Sequence, residues 1–461
     1  MRTIVDRDCL LSAGLEQIRG QFRLPSAFPA EVEGEAVEAA RKRFDEHSDA
    51  TSVPFVTLDP EQSRDLDQAF AIEVAGNDVV LHYAIADVGW FVAPDGAINR
   101  EAWARGTSYY LPDGKVSLYP AVLSEGAASL LPDGERPAII FTVRVDPTGE
   151  AKLDGVRRAR IRSRAKLAYE AAREEDLPAG FSLLTDRIEA AEQARGAARV
   201  EPPEQEVVRE DGHFRLQLRL QTWAEKRNAA LSLATNLAVA AALLGAKTGL
   251  FRTMEEPQAW AVRRLRHTAR AIGLDWPKAE SLQQLERRLD PTKPSDAAMM
   301  LAIRRASQTA AYQPFRAGVL PWHSAVAAPY AHSTAPLRRL ADRYVIEAAL
   351  EIANGRIVPE RIQEAFEALP DVMQKADALS GQVTHAVIDL AETVILQGGE
   401  GTNFAAVVTD VDERGARIQL SSPAVVARIK ANGLKPGDEL TVRLDSADPE
   451  TRSVRFSVVD D

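Results

Sequence analysis

Three carboxylates fall within one short run, Asp59-Pro60-Glu61-Gln62-Ser63-Arg64-Asp65-Leu66-Asp67. The residues Val53 to Leu58 before it read as a strand, Asp59-Pro60 breaks that strand, and Ala69 to Val74 leave the run as another. Asp65 and Asp67 are two positions apart, so on an extended chain they point to the same side. Like charges crowded in this way repel unless a cation neutralises them. Hard oxygen donors suit Mg²⁺ or Mn²⁺, and Mg²⁺ is commonly held by a few carboxylates together with substrate phosphates. Taken alone, the loop also reads as a solvated acidic turn.

A second stretch bears on that choice: Tyr330-Ala331-His332-Ser333-Thr334-Ala335-Pro336-Leu337-Arg338-Arg339-Leu340-Ala341-Asp342-Arg343-Tyr344. Ser333 or Thr334 can cap a helix with Pro336 in its first turn, and Asn354-Gly355 is a stop signal. Arg338 and Arg339 would then sit in the first turn, against the helix dipole. A phosphate bound at the free amides and a guanidinium removes that conflict. Pairing with a carboxylate such as Asp342 is the other solution. A third stretch is basic: Arg158, Arg160, Arg162 and Arg164 alternate and share one face of an extended chain. It reads either as a solvated face or as the wall of a channel for a nucleic-acid backbone.

The elements that must position these groups follow from pattern. The 461-residue chain is long enough for two or three domains, with 45% hydrophobic and 27% charged residues. Its net charge of -11 argues against indiscriminate polyanion binding and leaves room for a local basic channel. Cys9 is the single cysteine, which excludes a disulfide framework and makes the cytoplasm the expected compartment. Asp6 and Asp8 ahead of Leu10-Leu11 do not read as a signal peptide. The apolar run Ala229 to Ala246 contains Ser232, Thr235 and Asn236, so it reads as a buried helix and not as a membrane span.

Residues 1–50 read as a small helical module, with Leu10, Leu11, Leu15 and Ile18 at helical spacing. Residues 51 to about 165 read mainly as strands, including Val79 to Asp87 and Ile139 to Val145. From about 166 the pattern turns helical, with a strand-like piece at Phe214 to Gln221 and helices at 223–247, 258–272 and 295–310, the last capped by Ser295. Residues 400–461 carry short strands separated by turns and fit a small OB-type barrel. They follow Gln397-Gly398-Gly399-Glu400-Gly401, which reads as a flexible connection.

Four motifs in order, Asp59 to Asp67, Tyr83-Ala84-Ile85-Ala86-Asp87-Val88, Arg105-Gly106-Thr107-Ser108-Tyr109-Tyr110-Leu111-Pro112 and Thr334-Ala335-Pro336-Leu337-Arg338-Arg339, resemble the catalytic domain of the ribonuclease II (RNB) family. The C-terminal unit resembles the S1-like RNA-binding barrel that usually follows it. The resemblance implies an α+β fold: an RNB domain over residues 51–397, a mixed sheet surrounded by helices, then an S1-like OB-fold over 400–461. It implies a Mg²⁺-dependent hydrolytic exoribonuclease with a two-metal-type mechanism. Such an enzyme shortens single-stranded RNA from its 3′ end and releases nucleoside 5′-monophosphates. Apart from the resemblance, the sequence shows no membrane association and no obligate protein partner, so a monomer is expected. Asp59, Asp65, Asp67 and Gln68 would hold the metal, Asp67 nearest the attacking water, and Arg338 would stabilise the transition state. Tyr110 would stack on the terminal base, with Arg158, Arg160, Arg162, Arg164, His332 and Arg339 as further RNA contacts. Gln68 stands where the family pattern has a closing aspartate. That departure supports one alternative, an RNA-binding protein with a decayed site.

Overall fold

The computed structural model describes residues 2–4, 10–198, 200–210, 213–412, 414–423, 425–430 and 433–459. Cys9, Asp6 and Asp8 lie outside the described residues. The centre is a seven-stranded mixed sheet. In spatial order its strands are Ala165–Ala168, Val56–Asp59, Gln68–Ala75, Asp78–Ala86, Arg136–Val145, Ala151–Ile161 and Ser48–Asp49. The two outermost pairings are parallel and the others antiparallel. Strands expected from alternating apolar residues therefore form, with Leu81, Tyr83, Ile85, Ile139 and Phe141 almost wholly buried. Residues just after 165 form a strand beside Val56–Asp59 where the sequence pattern suggests helix.

The helix Trp223–Gly245 crosses this sheet as its main cover. By length and composition it could cross a membrane, but 61% of its most apolar window is buried inside the protein. Thr222 caps it, accepting from Glu225 N, while the Glu225 side chain accepts from Thr222 N. The helix Pro294–Ala306 starts at a proline after Lys293, so Ser295 lies inside its first turn and is not its cap.

The first fifty residues are shared between two cores. Val32, Ala36 and Ala39 pack with the sheet, whereas Leu11, Leu15 and Ile18 pack with the far end of the helix Glu360–Leu396. That second core also contains the five-stranded C-terminal barrel. The barrel does not swing on a loose tether: Gly401 N donates to Leu444 O at 2.8 Å, and Arg305 reaches Asp410 at 2.8 Å.

One glycine joins the fold to the arginine stretch. The helix Ala97–Arg105 ends at Gly106, whose φ of 69° turns the chain out of the helix. The chain then runs beside Arg338–Leu340. Ser108 N donates to Arg338 O at 3.1 Å, Thr107 Oγ1 to the same oxygen at 2.8 Å, and Leu340 N to Gly106 O at 3.0 Å. A Cβ at Gly106 would lie 2.9 Å from Ala376 Cβ. Gly106→Ala is therefore expected to destabilise the fold by about 1–3 kcal/mol, from backbone strain plus that clash. A chemical-denaturation midpoint equal to that of the wild type would contradict this docking.

Candidate active site

The carboxylate run is pinned by its backbone. Lys166 Nζ donates to Glu61 O and Ser63 O, each at 2.6 Å. Ser129 Oγ donates to Arg64 O at 2.6 Å and accepts from Leu66 N at 2.9 Å. Leu66, wholly buried, holds the middle of the loop in the core, and Ala86 N donates to Asp67 O at 2.9 Å. With these groups satisfied the carboxylates have little freedom to relax apart. The sequence does not show Lys166, which reads there as part of the basic stripe, or Ser129 as anchors of this loop, since they act on backbone atoms.

Asp67 faces the arginine stretch. Its Oδ1 accepts from Leu337 N at 2.7 Å, and its Oδ2 lies 3.7 Å from Arg338 Nε. The Arg338 side chain is 45% exposed. The helix begins only at Leu340, so neither arginine lies in a first helical turn. The reason is Asp342. Its wholly buried carboxylate accepts from Thr334 N at 3.0 Å and Ala335 N at 2.8 Å, and pairs with Arg339 at 2.9 and 2.7 Å. Those amides are drawn back to Asp342 instead of opening a helix at Ser333. Arg339 is thereby an internal ion-pair partner, not the expected RNA contact.

Other expected contacts have protein partners too. His332 Nδ1 meets Tyr312 OH at 2.9 Å between the rings of Tyr312 and Tyr330, and burial with nearby arginines holds it neutral, well below its usual pKa. In the basic stripe Arg158 faces Asp87 at 3.5 Å, Arg160 faces Asp49 and Glu135 at 3.3 Å each, Arg162 faces Glu135 at 3.5 Å, and Arg164 donates to Thr51 O at 2.9 Å. Arg158 and Arg160 lie on the strand Ala151–Ile161 and Arg162 and Arg164 just beyond it, each with a protein partner. Tyr110 is 54% exposed beside the carboxylates, with its hydroxyl 3.3 Å from Asp65 Oδ2, whereas Tyr109 is buried. Lys115, opposite Tyr110 on a short hairpin, reaches Asp65 Oδ1 at 2.9 Å.

Gln68 is turned elsewhere. Its Nε2 donates to Thr334 O at 2.6 Å, and its Oε1 accepts from Tyr83 OH at 2.5 Å and Ser232 Oγ at 3.4 Å. A carbonyl can only accept, so the amide nitrogen must face Thr334 and the oxygen must face Tyr83. The expected metal-ligand role does not fit these contacts. Asp67 instead faces Leu337 N and Arg338, so the two neighbouring side chains go to different partners.

The remaining carboxylates are short of positive charge. Burial and the charge of Asp67 push Asp59 up to about 8, against the pull of Arg338. Burial pushes Asp67 up to about 7, against Arg338 and the Leu337 amide. Asp59 Oδ2 is buried and meets no hydrogen-bond partner among the described residues. Among those residues no three His, Cys, Asp or Glu side chains form a ready-made cage. A cation that takes one or two carboxylates and completes its shell with water and phosphate needs no such cage. Asp59 and Asp67 fit that demand. Asp65 is neutralised by Lys115, and Gln68 is committed to Thr334 and Tyr83.

The RNB domain matches residues 47–351, more than half of the chain, and the RNase II-type exonuclease C-terminal S1 domain matches residues 402–459. Curated relatives include ribonuclease R of Thermotoga maritima, 25% identical over 87% of this chain and 61% of that protein. Ribonuclease R of Vibrio cholerae is 29% identical over 69% of this chain and 42% of that protein. The chain thus spans less than two thirds of the length of these relatives. Among solved structures, Mycoplasma genitalium RNase R in complex with ribose-methylated single-stranded RNA superposes with a TM-score of 0.85 at 21% identity, covering 97% of this chain and 78% of that one. Yeast Ssd1, a pseudonuclease, superposes at 0.67 with 17% identity, covering 98% and 58%.

Two outcomes follow from this geometry. Arg339→Ala strands the buried Asp342 carboxylate and should cost about 3–5 kcal/mol of stability, read from denaturant unfolding. The second concerns pH. Asp59 and Asp67 bind protons more tightly folded than unfolded, so without divalent cations their contribution to stability is present at low pH. It is lost as pH rises through about 7 and about 8. Mg²⁺ binding would oppose that loss, so it should raise the thermal midpoint more at alkaline than at acidic pH. An equal Mg²⁺ effect across the range would show that these two carboxylates do not hold it.

Proposed function

Because the chain belongs to the RNB-domain family, we propose that it is a hydrolytic exoribonuclease that shortens single-stranded RNA from the 3′ end and releases nucleoside 5′-monophosphates. The observation that carries this reading is the tie between Asp67 and the loop of Arg338: the carboxylate accepts the Leu337 amide and faces the guanidinium. One hydrogen bond thus sets the spacing between an anionic, cation-seeking group and a cation suited to phosphoryl oxygens. The Mycoplasma genitalium RNase R complex contains single-stranded RNA, which supports RNA as substrate. The matched S1 domain supports it as well.

Asp59 and Asp67 would hold Mg²⁺, which when bound lowers the pKa of a water and offsets charge developing on the phosphoryl oxygens. Arg338, exposed beyond Asp67, neutralises a phosphoryl oxygen in the transition state. Tyr110, exposed next to Asp65, stacks on the terminal base, a sequence-tolerant contact of about 1–3 kcal/mol. Lys115 pairs with Asp65, which also accepts from the Tyr110 hydroxyl, so the hairpin that carries Tyr110 is tied to the carboxylate loop. Relatives named ribonuclease R, not ribonuclease II, make the former the nearer analogue. The chain is taken to act as a monomer.

The likeness to the Ssd1 pseudonuclease and the diversion of Gln68 favour one other reading, an RNA-binding protein without turnover. A 5′-labelled single-stranded RNA incubated with and without Mg²⁺ separates the two. Progressive shortening with release of mononucleotides is expected only with Mg²⁺. Asp67→Asn keeps an acceptor for Leu337 N and removes the charge, so RNA binding should persist while turnover falls by orders of magnitude. Turnover within tenfold of wild type, about 1.4 kcal/mol of barrier, would remove Asp67 from the chemistry.

A further inference from the structure

The helix Trp223–Gly245, the one helix among the described residues long and apolar enough to cross a membrane, carries a polar stripe on its buried side. Asn228, Ser232 and Asn236 follow one another at four-residue spacing and so share one face. Asn228 and Asn236 are 7% and 1% exposed. A buried amide without a partner costs on the order of 1–3 kcal/mol, so polar side chains persist in such a helix only where they are used. Serine and asparagine within helices often turn back to their own backbone. Every side-chain bond these three make among the described residues instead leaves the helix.

Each leads to a different segment of the site. Asn228 Nδ2 donates to Tyr169 OH at 2.9 Å and reaches Leu58 O at 3.5 Å. Leu58 precedes Asp59, and Tyr169 N donates to Asp59 O at 3.1 Å. Ser232 Oγ meets Tyr83 OH at 2.8 Å, and both contact Gln68 Oε1, the residue after Asp67. Asn236 Oδ1 accepts from Ser333 N at 2.9 Å and Ser333 Oγ at 2.8 Å, at the head of the loop that ends in Arg338. Gln68 closes the set by donating to Thr334 O, which a carboxylate at that position could not do.

We propose that Asn228, Ser232 and Asn236 are positioning residues: a three-rung ladder on one rigid helix that sets Asp59, Asp67 and Arg338 relative to one another, with Gln68 as the cross-tie between the carboxylate strand and the arginine loop. This rests on the exoribonuclease reading. Apolar side chains of similar size would pack this face as well, and replacing buried polar groups by such side chains is often neutral for stability. What the rungs supply is register: they act on the alignment of the reacting groups and leave RNA capture alone.

The test compares Ser232→Ala, Asn236→Ala and Ser232→Thr with Thr235→Ala, a buried neighbour on the same helix whose hydroxyl meets no partner among the described residues. In Ser232→Ala and Asn236→Ala, kcat should fall at least about tenfold while KM for single-stranded RNA stays within about twofold. Ser232→Thr, which keeps the hydroxyl, should recover most of that loss, and Thr235→Ala should leave kcat unchanged. The Mg²⁺-induced rise in thermal midpoint gives a second readout independent of turnover, and the two alanine variants should lose most of it. The ladder is overturned if both keep kcat near wild type and the full Mg²⁺ shift. It is equally overturned if Thr235→Ala reproduces their losses with the same drop in thermal midpoint. A wild type that cleaves no RNA but shows a Mg²⁺ shift lost in these variants would refute the exoribonuclease reading and leave the ladder standing.

Discussion

The buried carboxylate of Asp342 is the constraint on which the site depends. Two backbone amides and one guanidinium converge on it, with no solvent to share the charge. Such a group is costly to bury and stable only when every lone pair is used. Its demand bends residues 333–339 back on the following helix and delays the helical start to Leu340. That bend turns the Leu337 amide toward Asp67 and leaves Arg338 projecting, while Arg339 is consumed inside. Two adjacent arginines thereby take opposite roles.

Around this fixed point the site is held in tension. Asp59 and Asp67 share one guanidinium, and burial raises both carboxyls above the usual range, to about 8 and about 7. Relaxation is blocked on every side: Lys166 and Ser129 grip the loop backbone, the Gly106 strand grips the arginine loop, and the polar rungs of the core helix grip what lies between. Preorganisation of this kind is where electrostatic catalysis finds most of its strength, since the site does not rearrange as charge develops.

Local pattern reveals part of this. The strands around Asp59 to Asp67, the core helix and the barrel follow from alternation, apolar runs and turn residues. Asp67 and Arg338 do lie together, though only the order of motifs hints at it. The failures differ in origin: the partners of Gln68 and of the arginine stripe are distant in sequence, whereas Asp342 stands only seven and eight residues beyond the amides it takes. A helical start at Ser333 is what the local caps favour, and Asp342 overrides it. Gln68 looks like a ligand through its place in the motif, and only its bond to Thr334, far along the chain, shows where its amide goes. The arginine stripe shows its own periodicity but not Asp49, Asp87 and Glu135 on neighbouring segments. The spacing of Asn228, Ser232 and Asn236 is readable, but its meaning requires the three loops it touches.

The helix Glu360–Leu396 has a consequence for how the molecule comes apart. At 37 residues it is about 55 Å long. Ile362, Phe366 and Leu369 belong to the sheet core, and Val383, Leu390 and Leu396 to the core shared with the barrel. A continuous helix rooted in two cores couples their melting, because neither can lose its packing without fraying the rod that supports the other. The barrel is therefore not a bead on a string. Its packing is tied to this helix and to the helix Leu10–Gln21 beside it, so the three segments are expected to melt as one unit.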